Sequence, residues 1–219
     1  MISMTDAEAT ETLPEEMDIM SFEAGGLPPE LLKALSESGK DNRIIGLFGD
    51  IGPEISSAVL SALVSLQMES PDEEITIFIN SGGGNVTDAL AIWDAIEACT
   101  CPIVMVGVGR VMSAAAFLMY AGDKGRRYLS PNTLVMAHQV SYGAMGTYSE
   151  MKVQHRAASM LKERMIDLMA KRANLKGSIV SRRKKLAKVW EDAHDQYFWP
   201  EEGIEALGLA DNIGLPHSE

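Results

Sequence analysis

The sequence predicts a layered α/β fold built on a largely parallel sheet. Three strand-then-helix units follow one another between Arg43 and Tyr120. Each strand is a short apolar run, and each helix repeats its apolar residues at the helical period. Consecutive units of this kind lay parallel strands side by side with helices packed on them. In such folds chemistry gathers where the C-terminal ends of strands feed loops and helix N-termini. Three segments fall at those ends: the glycine turn N-S-G-G-G-N-V at 80–86, Ser113 within G-V-G-R-V-M-S-A-A-A-F-L-M-Y-A-G at 107–122, and His138 in L-V-M-A-H-Q.

The body of the chain is read from Asp41, with Arg43 to Phe48 (R-I-I-G-L-F) as the first strand and Gly49 to Pro53 as a turn. Pro53 suits an early helical position, and its helix is expected to reach about Met68 with Ile55, Val59, Leu60, Leu63, Val64 and Leu66 in phase. Residues 75–79 (I-T-I-F-I) form the second strand and end in the glycine turn. A helix follows over Thr87 to Glu97, burying Ala89, Leu90, Ile92, Trp93 and Ile96. Residues 103–108 are the third strand, and Ser113 opens an Ala-rich helix through Tyr120. Leu134 to Ala137 is a strand carrying His138 at its end. From Met145 to about Ala173 the chain reads as one long helix whose Met-rich face is too broad for a single contact and suits adaptable packing against a partner. Arg182-Arg183-Lys184-Lys185 with Lys188 is expected to be a solvated helix face. A short helix in P-E-E-G-I-E-A-L ends at Gly208 and leads into a last strand.

The 219 residues, 46% apolar and 23% charged, fit one substantial globular domain. The net charge of −12 argues against nucleic-acid binding, which needs a basic footprint. No apolar run approaches the roughly 20 residues that span a bilayer, and no basic stretch precedes an apolar core as in a secretory signal. The two cysteines, Cys99 and Cys101, are read as reduced packing residues, consistent with a cytoplasmic location. Residues 1–25 hold seven acids (Asp6, Glu8, Glu11, Glu15, Glu16, Asp18, Glu23) and no Lys or Arg, so residues 1–40 are expected to be an acidic flexible arm ahead of a domain at 41–219.

A serine hydroxyl is a poor nucleophile at neutral pH and needs a base. His138 is the best candidate, because His155 lies in the long helix, His194 in a charged loop and His217 in the tail. The base needs a carboxylate to fix its tautomer, and Asp195 or Asp192 in W-E-D-A-H-D-Q-Y-F-W can serve. The developing oxyanion needs backbone donors, for which Gly82 to Gly84 and the N–H of Ala114 are suited. The glycine turn lacks the Lys and Ser/Thr of a phosphate loop, and Met112 and Ala115 break the G-x-S-x-G elbow. Together these residues point to a serine hydrolase.

The motifs resemble those of the Clp protease proteolytic subunit family, within the crotonase-like superfamily. The family's I-N-S-P-G-G-x-V matches Ile79 to Val86 with Gly82 for the proline, and G-x-x-[AS]-S-M-G-A-F-L matches Gly109 to Leu118 with Ala114 and Ala115 for Met-Gly. R-x-x-x-P-N-[ST]-x-[VI]-M-[IL]-H-Q matches Arg127 to Gln139, and D-x-[FY]-[MFL]-x-x-E-E-A…G-L-[IVA]-D matches Asp195 to Asp211. The resemblance implies a repeated β-β-α superhelix of crotonase and Clp type with a long handle helix at 145–173. It implies Ser113 as nucleophile, His138 as base, Asp195 as orienting acid, and Gly84 and Ala114 as oxyanion donors. It further implies a serine endopeptidase acting on peptides or unfolded proteins, self-association into rings, an ATP-driven AAA+ unfoldase as partner, and no metal or organic cofactor.

The chain also departs from the family pattern. His194 stands where the family carries an arginine that links subunits, and residues 174–194 are longer than the usual connection, which keeps Asp192 as a second candidate acid. The first 40 residues do not resemble the family's axial loop, the segment that contacts the unfoldase. Divergent members of this kind occur in phages, where related peptidases also serve capsid maturation. Two other readings remain: a catalytically silent ring subunit or scaffold, and an acyl-CoA enzyme of crotonase type, whose chemistry seldom pairs a helix-start serine with a strand-end histidine.

Overall fold

The computed structural model of the chain describes residues 43–192 and 194–216; the expected acidic arm at 1–40 and His217 lie outside them. Four strands, β1 (Ile44–Phe48), β2 (Ile75–Ser81), β3 (Ile103–Met112) and β4 (Arg127–Leu129), run side by side and parallel, and β7 (Asn212–Ile213) adds to β4 in the same sense. Ile75, Ile77 and Ile79 alternate into the core at the period of two that a strand imposes, as do Ile45 and Leu47. The expected parallel α/β architecture is present.

The third strand is longer than the expected 103–108. Its first half pairs with β4 (Met105↔Arg127, Gly107↔Leu129), and its second half pairs with β5 (Leu134–Ala137) through Arg110↔Leu134 and Met112↔Met136. Gly109, at φ +65°, bends the strand without ending it, and the register with β2 shifts between Ile79 and Ser81 at the same level. β6 (Gln196–Phe198) runs antiparallel beyond β5, with Ala137↔Gln196 in register. The bend in β3 therefore splits the sheet into a main body and a small side sheet of β5 and β6.

Helices α1 (Pro53–Glu69) and α2 (Val86–Ala98) begin and end within a residue or so of their expected limits and pack on one another. Asn85 caps α2, its side-chain oxygen accepting from the N–H groups of Thr87 and Asp88. Helix α3 (Ala114–Met119) is buried all round, which its Ala-rich, wholly apolar sequence permits. Trp93 of α2 stacks on Phe117 of α3 with ring centroids 4.7 Å apart, seating α3 against the body.

The long helix α4 (Tyr148–Arg172) starts at a capping box between Thr147 and Glu150. Its C-terminal half buries Met165, Ile166, Leu168 and Met169, whereas Tyr148, Val153 and Met160 on the N-terminal half stand exposed. Helix α5 (Ile179–Trp190) folds back onto α4. The basic run is only partly the solvated face expected from sequence. Lys184, Lys185 and Lys188 are exposed, but Arg183 pairs with Asp167 at 2.7 Å and with Glu163, and Arg182 donates to the Ala173 carbonyl. Leu186 and Trp190, four residues apart, form the buried stripe that turns these charges toward α4. Helix α6 (Pro200–Leu207) ends at Gly208 in the left-handed conformation. The C-terminal segment is then held by Asp211, which accepts two hydrogen bonds from the buried Arg127 guanidinium at 2.7 and 2.8 Å.

Candidate active site

Ser113 lies between the end of β3 and the first turn of α3, with φ 53° and ψ −124°. A non-glycine residue in that region carries strain of about 1–3 kcal/mol, which only its surroundings can enforce. The surroundings here are specific: the Ser113 N–H donates to the Met136 carbonyl of β5 at 2.8 Å, and its carbonyl accepts from the Phe117 N–H of α3 at 3.1 Å. The sharp turn lifts Oγ out of both elements.

His138 follows directly on β5, and its Nε2 stands 2.7 Å from Ser113 Oγ. Asp195 directly precedes β6. Because Ala137 is paired with Gln196, the next step outward along the ladder sets His138 against Asp195, with Nδ1 and Oδ1 3.6 Å apart. That distance is an ion-pair contact and exceeds a hydrogen bond. The Asp195 side chain is half exposed. Asp192, the other candidate acid, accepts from the His194 N–H at 3.0 Å and lies 3.5 Å from His194 Nδ1.

The glycine turn leans on the serine. An added Cβ on Gly83 (φ +101°) would stand 2.6 Å from Ser113 Cβ and 3.0 Å from the Ala114 nitrogen. One on Gly84 (φ +147°) would stand 2.2 Å from the Ile51 carbonyl oxygen. Both positions need the bare backbone. Ser81, fully buried, fixes the turn by accepting from the Gly83 N–H at 3.0 Å. The loop before α1 fixes it from the other side, through Ile51 N–H to Gly83 C=O at 2.8 Å and Asn85 N–H to Ile51 C=O at 2.7 Å. This bridge uses its neighbours' groups and leaves the Gly84 N–H outside it. Gly82 is different, since an added Cβ would meet nothing closer than the Arg110 guanidinium at 3.9 Å.

Gly84, Ala114, Ser113 and His138 all border one cavity of about 150 Å³. Met165 of α4 and Trp190 of α5 also line it, as do Gln139 and Ser141. Sequence reasoning singled out neither Met165 nor Trp190 as a site residue, because their approach to Ser113 depends on how α5 folds back on α4. Ser81 and Ile51 were likewise unmarked; the buried serine beside the glycines was the one available signal. A hydroxyl hydrogen-bonded to an imidazole, next to backbone N–H groups and a cavity, is equipped for nucleophilic attack on a carbonyl.

Among the described residues no cluster of three or more His, Cys, Asp or Glu is arranged to hold a metal ion, and no helix is long and apolar enough to cross a membrane. Cys99 and Cys101 are free thiols; burial pushes the Cys99 thiol up, away from reactivity at neutral pH. A family model described as Clp protease matches residues 32–216, a span that contains every described element.

Proposed function

The chain belongs to the Clp protease family, a family of peptidases, and we propose that it is a serine endopeptidase in which Ser113, His138 and Asp195 act as the triad. The observation that carries this reading is the 2.7 Å contact between Ser113 Oγ and His138 Nε2 at the mouth of the shared cavity. Oγ attacks the scissile carbonyl carbon while Nε2 takes its proton. The oxyanion is met by the N–H groups of Gly84 and Ala114, and the imidazolium then gives its proton to the leaving amine. Water, deprotonated by the same imidazole, hydrolyses the acyl-enzyme. Asp195 stabilises the imidazolium, with which its carboxylate is already in ion-pair range. This mechanism requires no metal or organic cofactor.

The exposed half of α4 supports assigning it as a handle through which copies of a domain at 41–219 associate into rings. Unfolded protein supplied by an ATP-driven unfoldase in the cytoplasm is the substrate this arrangement suits. Wild-type protein is expected to be labelled covalently by a fluorophosphonate probe and Ser113→Ala to be blank; equal labelling of the two would sink the assignment. The competing reading is a catalytically silent ring subunit, which the long, half-exposed Asp195 contact favours. Absence of wild-type labelling and of peptide hydrolysis would decide for it.

A further inference from the structure

The outer face of α5 carries positive charge that the described body leaves unanswered. Lys184, Lys185 and Lys188 are exposed, and none of their side chains takes an ion pair or a hydrogen bond among the described residues. Neighbouring cations do find acids: Arg183 pairs with Asp167 and Glu163, and Lys162 of α4 pairs with Glu191. Val180, Lys184 and Lys188 recur at a spacing of four, so they share one side of the helix. Val180 is 78% exposed and Ile179 beside it 51%. The face is therefore basic along its length and apolar at its N-terminal end.

A complementary segment exists in the same chain. Residues 1–25 hold seven acids and no Lys or Arg, and within them L-P-E-E-M-D-I-M-S-F-E at 13–23 interleaves charge with apolar bulk. Glu15, Glu16, Asp18 and Glu23 alternate there with Leu13, Met17, Ile19, Met20 and Phe22. We propose that residues 13–23 dock on the outer face of α5 of their own chain. The carboxylates meet Lys184, Lys185 and Lys188, and the apolar side chains cover Ile179 and Val180.

Reach and tethering both favour this occupant. Arg43, where the described chain begins, is pinned by its guanidinium to the Leu66, Ser70 and Glu74 carbonyls. From that anchor the stretch 24–42 extends to about 60 Å at full length. A domain of this size has a radius of gyration of about 16 Å, so even its far side lies within that span. Exposed ion pairs are individually weak and would not hold a free peptide. A tethered segment needs far less, because the linker keeps it at an effective concentration on the order of a millimolar. The same helix ends in Trp190, which lines the cavity beside Ser113, so the docked segment lies on an element that shapes the site. Docking requires no assumption about the reaction at Ser113.

Two measurements on the full-length chain test it. Carbodiimide, which joins carboxylates to amines in direct contact, is applied to an equal mixture of isotope-labelled and unlabelled protein, and the links are mapped by mass spectrometry. Links within one chain from Glu15, Glu16, Asp18 or Glu23 to Lys184, Lys185 or Lys188 are expected. Links from these lysines to acids of a second copy would assign the face to self-association, and no link to them from residues 13–23 would leave it to solvent; either result overturns the proposal. The second measurement is chymotryptic cleavage after Phe22, whose rate follows the undocked fraction. Lys184→Glu with Lys185→Glu and Lys188→Glu is expected to raise that rate at least about threefold, as is Glu15→Lys with Glu16→Lys and Asp18→Lys. Combining both sets in one chain restores opposite charges and should return the rate towards wild type. Equal rates in all four chains, or a combined chain cleaved as fast as its parents, would overturn the docking. The cross-links in the unmutated chain decide the matter should a charge-reversed variant fail to fold.

Discussion

Gly83 has almost no freedom to change, because its Cα packs against the Ser113 side chain and the Met112 carbonyl, and a methyl group there would stand 2.6 and 2.8 Å from them. Gly83→Ala is therefore expected to slow fluorophosphonate labelling at least about 100-fold, the scale of losing an oxyanion donor. Gly82→Ala, one residue away with open space around it, should stay within a few-fold of wild type. Equal rates for the two would refute this account of the turn. At this scale the sequence was legible where chemistry restricts residue type: the bare glycines, the serine among alanines and the strand-end histidine are all visible in it. Separating Asp195 from Asp192 requires the register of β5 on β6, a pairing between segments about 60 residues apart that no local pattern encodes.

The element whose anchoring was least visible in sequence is the C-terminal segment, tied to β4 by Arg127 and Asp211. Arg127 is 1% exposed, donates twice to Asp211 and once to the Arg172 carbonyl at the end of α4, and so joins three elements. Burial pushes the Asp211 carboxyl up, but the Arg127 hydrogen bonds and charge, with the Gly125 N–H, outweigh it and hold the carboxyl below its ordinary range. The folded value is thus lower than the unfolded one of about 3.9. The stabilisation is complete above that pH and is lost as pH falls below it through the folded value. Asp211→Asn, which leaves a buried guanidinium charge unpaired, is expected to cost about 3–5 kcal/mol at neutral pH. In thermal melts the gap between variant and wild type should narrow below about pH 4; a constant gap would remove the ion pair from the explanation. Sequence placed most elements to within a residue or two, because their periodicity is local. It missed β4 and β6, whose three residues each are too short to show a period, and it ended β3 at residue 108, just before Gly109, which only bends the strand.

On the scale of the molecule, the main asymmetry is α4, which buries one half and leaves Tyr148, Val153 and Met160 on the other in solvent. Light scattering after size exclusion is expected to give a mass several times the 23.7 kDa of the chain. Val153→Glu with Met160→Glu should lower that mass with little loss of thermal stability, because neither side chain supports the fold of one copy. A monomer in the wild type would refute the handle. The breadth of this apolar face was legible in sequence, but which half the chain itself covers was not, since α5 decides that by packing on one end. Ser113 has a consequence at this scale too. A chain under no demand except to fold would do better with glycine at φ 53°, since glycine adopts that conformation without a Cβ penalty. On the proposed mechanism the serine is a concession of fold to chemistry, and drift under selection for the scaffold alone would be expected to erase it first.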